Sequence, residues 1–102
     1  MTLTTAQKKQ YRAIAHSLNP VIIVGDNGLS EGLLQELNRA LDDHELIKIK
    51  IASNDRDDRA AAIDDLCKQT HATLVQSIGK MAIILRQAKK PNPKLSNLLR
   101  QL

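Results

Sequence analysis

The sequence predicts an α/β fold, a two-layer sandwich with the element order α-β-α-β-α-β-β and a mixed four-stranded sheet. Three observations predict it: apolar residues recur at helical spacing in three segments, short alternating or β-branched segments follow each of them, and a glycine turn separates the last two. Strands joined by a helix run parallel through a right-handed crossover, whereas strands joined by a tight turn run antiparallel. Both connections occur here, so we expect the sheet to be mixed.

The first predicted helix lies near the N-terminus and carries a basic face. Thr4 and Gln7 form a capping-box pattern, so the helix should begin near Thr5, and Asn19-Pro20 should end it. Its apolar stripe consists of Tyr11, Ile14, Ala15 and Leu18. Its basic face consists of Lys8, Arg12 and His16, which are spaced four apart. The next segment, Val21–Val24, is short and β-branched, which predicts a buried strand.

The second predicted helix follows a glycine turn. It should begin after Gly28, with Ser30 as a capping residue, and end near Asp43. Its apolar face is formed by Leu29, Leu33, Leu37, Ala40 and Leu41. These residues recur at helical spacing, so the segment is expected to pack one side against the sheet.

The second strand and third helix come next. Leu46–Ile51 alternates, so its isoleucines should face the core while Lys48 and Lys50 face the other way. Ser53-Asn54-Asp55 reads as a turn and cap, and the acids Asp57 and Asp58 favour a helix N-terminus there. The third helix is expected to bury Ile63, Leu66, Cys67 and Thr70.

The last strands form a predicted hairpin followed by a basic tail. Gly79-Lys80 is the expected turn between strands at 73–78 and 81–86. Residues 1–87 would then form the domain, and residues 88–102 a basic tail with Pro91 and Pro93. The tail ends in a leucine stripe at helical spacing, Leu95, Leu98, Leu99 and Leu102. We expect this possible short helix to dock on its own domain, and docking on a partner is the alternative.

The charge of the chain is polarised between its ends and its middle. Residues 1–20 carry three lysines or arginines and no acid, and residues 80–102 carry six and no acid. Residues 21–79 hold eleven acids against six basic residues. If the two ends meet in space they form one basic surface, which is typical of nucleic-acid binding. The alternative is a solvated surface with a basic tail.

Length and composition limit the other possibilities. A chain of 102 residues is expected to form one domain, and its core must be aliphatic because Tyr11 is the only aromatic residue. No apolar run is long enough to span a membrane, and no apolar block follows a charged start, so neither a span nor a secretory signal is expected. Cys67 is the only cysteine, which excludes an intrachain disulfide and favours the cytoplasm.

A G-x-x-G loop is the most informative motif. Gly25, Asp26, Asn27 and Gly28 connect a predicted strand to a predicted helix, where free backbone N–H groups can bind a phosphate. The motif alone is weak, because glycines at such junctions often serve only the turn. Basic residues nearby strengthen it. Proteins that bind single-stranded nucleic acids stack the bases on aromatic side chains, and this chain has only Tyr11. We therefore expect it to contact phosphates and to recognise the shape of a structured RNA.

Three other patterns do not support catalysis or metal binding. Residues 28–32 match the nucleophile pattern G-x-S-x-G, but the strand does not run directly into it and no partner acid and histidine follow. Cys67 and His71 are too few to hold a metal. His44-Glu45 has no accompanying nucleophile. We therefore expect no enzyme activity, no metal and no cofactor.

Five motifs in order resemble the CRM domain family, named for chloroplast RNA splicing and ribosome maturation. They are Leu3-Thr4 with the lysine-rich first helix, His16-x-Leu18-x-Pro20, Gly25-x-x-Gly28-Leu29, the run from His44 to Lys50, and Ile78-Gly79-Lys80 before Arg86. The resemblance covers about residues 3–87 and is strongest to the small bacterial stand-alone, YhbY-like members. One difference is Leu85, since the family often has tyrosine there. Another is Asp26, whose carboxylate would oppose a phosphate unless it points away.

The resemblance implies a fold like the C-terminal domain of translation initiation factor three, and an RNA-binding protein that helps large-subunit ribosome assembly. The expected partner is structured rRNA in large-subunit precursors, bound by a cytoplasmic monomer. The expected RNA contacts are Lys8, Lys9, Arg12, Gly25, Asp26, Asn27, Gly28, Lys48, Lys50, Lys80 and Arg86. The alternative is a protein-interaction module that docks an acidic partner through the basic face or the C-terminal leucine stripe.

Overall fold

The computed structural model describes residues 3–25 and 28–99. Its helices and strands, in chain order, are α1 (Thr5–Ala15), β1 (Pro20–Val24), α2 (Glu31–His44), β2 (Leu46–Ile51), α3 (Arg56–Thr70), β3 (Thr73–Ile78) and β4 (Met81–Leu85). The predicted element order is therefore confirmed. The first helix ends at Ala15, earlier than the Asn19-Pro20 stop predicted for it. No helix in the described residues is long and apolar enough to cross a membrane.

Side chains cap the three helices at their N-termini. The capping box is present in α1, where Gln7 donates its backbone N–H to Thr4 Oγ1 at 3.1 Å and Thr4 donates its own to Gln7 Oε1 at 2.9 Å. Ser30 Oγ accepts from the Leu33 N–H at 3.1 Å and caps α2, as predicted. Asp55 accepts from two backbone N–H groups of α3, at 2.8 and 3.0 Å. These bonds satisfy donors that a helix cannot satisfy itself.

The strands form one mixed sheet in the order β1-β2-β4-β3. β1 and β2 are parallel, whereas β4 is antiparallel to both of its neighbours, β2 and β3. The mixed four-stranded sheet is thus confirmed. The last strand of the chain is inserted in the middle of the sheet, and residues 82–85 are all buried. A strand that is covered on both faces needs a continuous apolar run, which the sequence of β4 provides.

Helices cover both faces of the sheet, so the predicted two-layer arrangement becomes three layers. α2 and α3 pack on the back face, whose buried core includes Leu37, Leu41, Ile47, Ile49, Ile51, Ile63, Leu66, Ala82 and Ile84. α1 packs on the front face, whose buried core is Leu3, Ala15, Leu46, Val75, Ile83 and Leu85. Successive residues of β2 and β4 alternate between these two cores. The sequence showed this second core only in the apolar character of both sides of β4.

β1 is half-exposed, which corrects the prediction of a buried strand. Ile22 and Val24 are buried in the back core, whereas Ile23 is 63% exposed on the front face. Val21, at an irregularity in the register of β1 and β2, is 51% exposed. β1 is an edge strand, and α1 packs against β2 and β3 instead. The apolar run of β1 therefore leaves two large aliphatic side chains at the surface.

The C-terminal tail docks beside α1 without forming a helix in its described part. Residues 93–95 and 97–99 form turns, and Leu102 lies outside the described residues. Ser96 is fully buried and donates its hydroxyl to Glu45 Oε1 at 2.6 Å. Ala88 N–H donates to Glu45 Oε2 at 2.8 Å, and Leu98 packs against the front core. Glu45 ends α2 with φ of 62°, a left-handed value unusual for glutamate.

Candidate nucleic-acid interface

Part of the front face is left open by α1. The strand register aligns Ile23 with Lys50, Lys50 with Met81, and Met81 with Ile78. Residues paired in this way point to the same face of a sheet. The four side chains, Ile23, Lys50, Met81 and Ile78, therefore form one row across all four strands, which we name the open row.

A groove runs beside the open row, under the edge of α1. Seven residues line this front groove, which has a volume of about 230 Å³: Arg12, His16, Lys48, Gln76, Ile78, Met81 and Ile83. Ala15 is buried in the front core, which fixes the rotation of α1. Arg12 and His16 are four residues apart and so share the helix side that faces the groove. The groove combines an aliphatic floor with basic walls.

The cations of the front face have no internal ion-pair partner among the described residues. The two ion pairs among the described residues join Lys68 to Asp64 and Arg86 to Asp42, away from the front face. No carboxylate lines the front groove. Arg12 and Lys48 are therefore available to an external anion, and low competition from local acids makes this face attractive to a polyanion.

Gly25, where the glycine loop begins, lies at the same end of the sheet as the end of β2 and the β3–β4 turn. Ala52 N–H donates to the carbonyl of Val24 at 2.8 Å, and Ile51 N–H donates to the carbonyl of Lys80 at 2.7 Å. These bonds hold the end of β2 against both the start of the loop and the β3–β4 turn. Gly25, Lys50 and Lys80, which were predicted separately, thus lie at the same end of the sheet.

The two glycines of the loop have different reasons to be glycine. Gly28 has φ of 69°, so a side chain there would strain the backbone. Gly25 has no such requirement, and a Cβ added to it would meet nothing within 4 Å. Its own packing therefore does not demand glycine, although close approach of a ligand would. Asp26 and Asn27, also predicted contacts, lie outside the described residues.

The remaining predicted residues divide into two groups. Lys8 and Lys9 are exposed on α1, and Lys8 lies one turn before Arg12 on the same side of the helix. Arg86 lies elsewhere, at the end of β4, with its side chain only 21% exposed. Its guanidinium donates to Asn38 Oδ1 at 2.7 Å, to the carbonyl of Thr70 at 2.8 Å and to Asp42 Oδ1 at 2.8 Å.

These contacts give Arg86 a structural task. It joins β4 to α2 and to the end of α3 on the back face, which leaves it out of the surface that the other basic residues share. The sequence carried a weak signal for this role, because Asn38 and Asp42 are four apart and so share one side of α2. Leu85, at the position where the resemblance led us to expect tyrosine, is buried in the front core under α1, so it could not offer a surface for a base.

Sequence reasoning missed the aliphatic part of this site. Ile78 is 65% exposed and Ile23 is 63% exposed, yet both were predicted only as strand residues. The exposure of Ile78 could have been predicted, because a residue directly before a glycine turn lies at the end of its strand, away from the centre of the core. The exposure of Ile23 could not be read from its neighbours in sequence, because it depends on where α1 packs.

The cysteine on the back face is not prepared for metal binding. Burial, with a smaller contribution from Asp64, raises the pKa of Cys67 to about 11. Metals bind the thiolate, which this environment disfavours. Among the described residues, no three or more histidine, cysteine, aspartate or glutamate side chains are grouped so that they could hold a metal ion.

Known proteins resemble this chain over nearly its whole length. A Pseudomonas aeruginosa protein named "probable RNA-binding protein" is 59% identical over 100 residues, which cover 98% of this chain and 96% of that protein. A Haemophilus influenzae protein named "RNA-binding protein" is 43% identical over 89 residues, covering 87% of this chain and 90% of that protein. A Staphylococcus aureus hypothetical protein, solved in solution and described as a candidate RNA binder, superposes with a TM-score of 0.76 at 34% identity, covering 87% of this chain and 93% of its own.

The family assignment rests on the same part of the chain as these similarities. The model of the CRS1 / YhbY (CRM) domain matches residues 3–86. This range includes the three helices and four strands and excludes the tail beyond Arg86. The resemblance inferred from the five sequence motifs is therefore confirmed. The chain belongs to the CRS1 / YhbY (CRM) domain family.

Proposed function

We propose that this protein binds RNA through its front face. One observation carries the proposal: among the described residues, Arg12 of α1 and Lys48 of β2 line the front groove without an internal ion-pair partner, and a Cβ added to Gly25 at the end of β1 would meet no atom within 4 Å. An RNA backbone offers what this surface lacks, a continuous series of anions. The names of the relatives from Pseudomonas and Haemophilus support the same ligand class.

The proposed contacts differ in chemistry. Lys8, Lys9, Arg12, Lys48, Lys50 and Lys80 would neutralise phosphates, and the loop of Gly25, Asp26, Asn27 and Gly28 would let a phosphate approach backbone N–H groups. Arg86 is not included, because its guanidinium is occupied on the back face. Each phosphate contact releases counterions, so affinity should fall steeply as salt rises.

We further propose a role in assembly of the large ribosomal subunit, with structured rRNA of its precursors as the ligand. The support is the family resemblance together with the surface, which offers phosphate contacts and no aromatic platform. The protein would act as a cytoplasmic monomer without catalysis. The described residues offer no nucleophile with an adjacent base in the front groove, which is lined by basic, amide and aliphatic side chains.

The first test removes charge from the front face. In the double variant Lys48→Gln/Lys50→Gln, affinity for fragments of precursor large-subunit rRNA should fall about tenfold or more, and the slope of log affinity against log salt should flatten by about 1 to 2. Titration by fluorescence anisotropy at several salt concentrations measures both. Lys68→Gln is the matched control, because Lys68 is an exposed lysine on α3 of the back face. Equal losses in the two variants would contradict binding through the front face.

The second test addresses the assembly role. Lysates are sedimented on sucrose gradients at low and high salt, and the native protein is followed in the fractions. Migration with large-subunit precursors at low salt, lost at high salt and in Lys48→Gln/Lys50→Gln, is expected. A protein that remains at the top of the gradient in both conditions would contradict the assembly role.

A partner protein is the second candidate ligand. Leu95 and Leu99 of the tail are 37% and 44% exposed, so the docked tail still presents apolar surface beside α1. An acidic protein could use this surface together with the basic face. RNA that fails to displace such a partner, and a deletion of residues 88–102 that abolishes association with precursors, would favour this candidate over RNA.

A further inference from the structure

The front face exposes more aliphatic surface than phosphate binding can use. Ile23 and Ile78 are 63% and 65% exposed, and the strand register places both on the uncovered side of the sheet. Exposed apolar residues that cluster, rather than scatter singly, mark interaction sites. Met81 adds a flexible apolar side chain between them.

Cations are interleaved with this aliphatic surface. In the open row, Lys50 lies between Ile23 and Met81, and Lys48 lines the adjoining groove beside Ile78. Three strand spacings separate the ends of the row, a distance of about 14 Å. A ligand that fits must therefore carry apolar faces and negative charges alternately over a short distance. An unpaired nucleotide does so, since its base has an apolar face and its phosphate is charged.

A continuous RNA duplex does not fit this pattern. Its bases are stacked inside, and it presents phosphates, ribose hydroxyls and base edges to a protein. Such a ligand would satisfy the lysines but leave the isoleucines against water or polar groups. A nucleotide that is already unstacked, in a bulge or loop, gains from covering them.

We propose that the open row seats the base of an unpaired nucleotide on its adjacent members Met81 and Ile78. Ile23, on the other side of Lys50, would contact the neighbouring ribose, while Lys48 and Lys50 hold the flanking phosphates. This inference rests on the proposed RNA binding and refines its ligand class. It also revises the expectation from composition, because an aliphatic floor takes the place of the missing aromatic platform. The front face then selects helices interrupted by a bulge or loop over uninterrupted helices.

The experiment compares two RNA duplexes of matched length, one with a single-nucleotide bulge and one fully paired. Neither has a hairpin loop, because a loop would itself offer unpaired nucleotides. Wild-type protein should prefer the bulged RNA. In Ile23→Thr/Ile78→Thr, which retains β-branched side chains, affinity for the bulged RNA should fall about fivefold to tenfold. Affinity for the paired RNA should stay within twofold.

A matched control and a direct readout accompany the comparison. Leu74→Thr alters an exposed aliphatic residue of β3 on the opposite face and should change neither affinity. With 2-aminopurine at the bulge, wild-type protein should change the fluorescence of the probe, and the isoleucine variant should not. Thermal melting of each variant establishes that the fold is retained.

The outcomes separate this inference from the proposed function. If wild-type protein binds neither RNA, the proposed function fails. If it binds both equally, and the isoleucine variant matches wild type on both, RNA binding stands and base seating is overturned; the row would then serve a protein partner. An equal loss on both RNAs would likewise overturn base seating.

Discussion

The two faces of the sheet are built from the same strands but are completed differently. On the back face, α2 and α3 cover the isoleucines of β2 completely. On the front face, α1 covers Leu46 and leaves Lys48 and Lys50 half-buried beside an open groove. Alternate residues of one strand thus contribute to a closed core on one side and to a candidate binding surface on the other.

Basic residues show what this difference means. Arg86 directly follows β4 and Lys50 is the next-to-last residue of β2, and both were predicted RNA contacts. Arg86 faces helices that offer it a carbonyl, an amide and a carboxylate, whereas the ion pairs of the described residues do not include Lys50. The availability of internal partners, more than charge itself, decides which basic residue can serve an external ligand.

The largest expected effect comes from Arg86. Arg86→Met should lower the free energy of unfolding by about 3 kcal/mol, because part-buried acceptors at Asn38 and Thr70 lose charged donors. Urea denaturation measures this change, with Lys50→Met as the control that should alter stability by less than about 0.5 kcal/mol. RNA affinity of folded Arg86→Met should match wild type. A stable Arg86→Met variant with weakened RNA binding would contradict the structural role of Arg86 and would indicate that it contacts RNA.

The packing of the back face also affects its cysteine. The pKa of Cys67 is raised to about 11 from an ordinary 9.0, so below pH 9 the thiolate fraction should be about a hundredfold lower than in an unfolded chain. Alkylation by iodoacetamide should be correspondingly slow, and should accelerate as pH rises towards 11 or when urea unfolds the protein. Mass spectrometry follows the modification. Rapid alkylation of the folded protein at pH 8 would show that this face opens.

The contribution of the C-terminal tail to the front core can be tested at Ser96. Ser96→Ala removes the hydroxyl donor to the buried carboxylate of Glu45 and should lower the free energy of unfolding by about 2 kcal/mol. Hydrogen exchange should also accelerate at the Ala88 amide, which donates to the same carboxylate. Ser17→Ala, at an exposed hydroxyl, is the control and should change stability by less than about 0.5 kcal/mol. Unchanged stability of Ser96→Ala would mean that the tail does not contribute to the front core.

The smallest expected change concerns the loop. Gly25→Ala meets no neighbouring atom, so stability should change by less than about 0.5 kcal/mol. RNA affinity should nevertheless fall about threefold to tenfold if a phosphate approaches this backbone closely. Gly32→Ala, also free of clashes, should raise stability by up to about 1 kcal/mol and leave affinity unchanged. An unaltered affinity in Gly25→Ala would separate the loop from the binding surface.

Local signals predicted the elements well because those signals act over a few residues. The Thr4–Gln7 box, the Ser30 and Asp55 caps, and the Gly79 turn each function within four positions of the chain. Helix C-termini were less predictable. Glu45 and His71, the residues directly after α2 and α3, adopt positive φ without being glycine. Contacts from the distant tail hold Glu45 in this conformation, and no local pattern encodes them.

The candidate site was predicted only in part, because local signals show which residues share a side of one strand but not which elements pack together. The alternation of β2 predicted that Lys48 and Lys50 share a side, and the resemblance drew attention to Gly25 and Gly28. The grouping of Lys48 with Arg12 in the front groove, and the removal of Arg86 from the group, required the packing of the helices. Sequence alone could not indicate that Ile23 is exposed.

By itself, the sequence determined the order of elements, the mixed sheet, the caps and the family, because periodicity, turns and motifs are properties of neighbouring residues. Only the tertiary structure decided which face each helix covers, and hence which cations lack internal partners and which aliphatic residues stay at the surface. The physical reason is that burial and pairing belong to contacts between residues far apart in the chain. Glu45 and Ser96 are 51 positions apart, and the proposed binding surface spans α1 to β4.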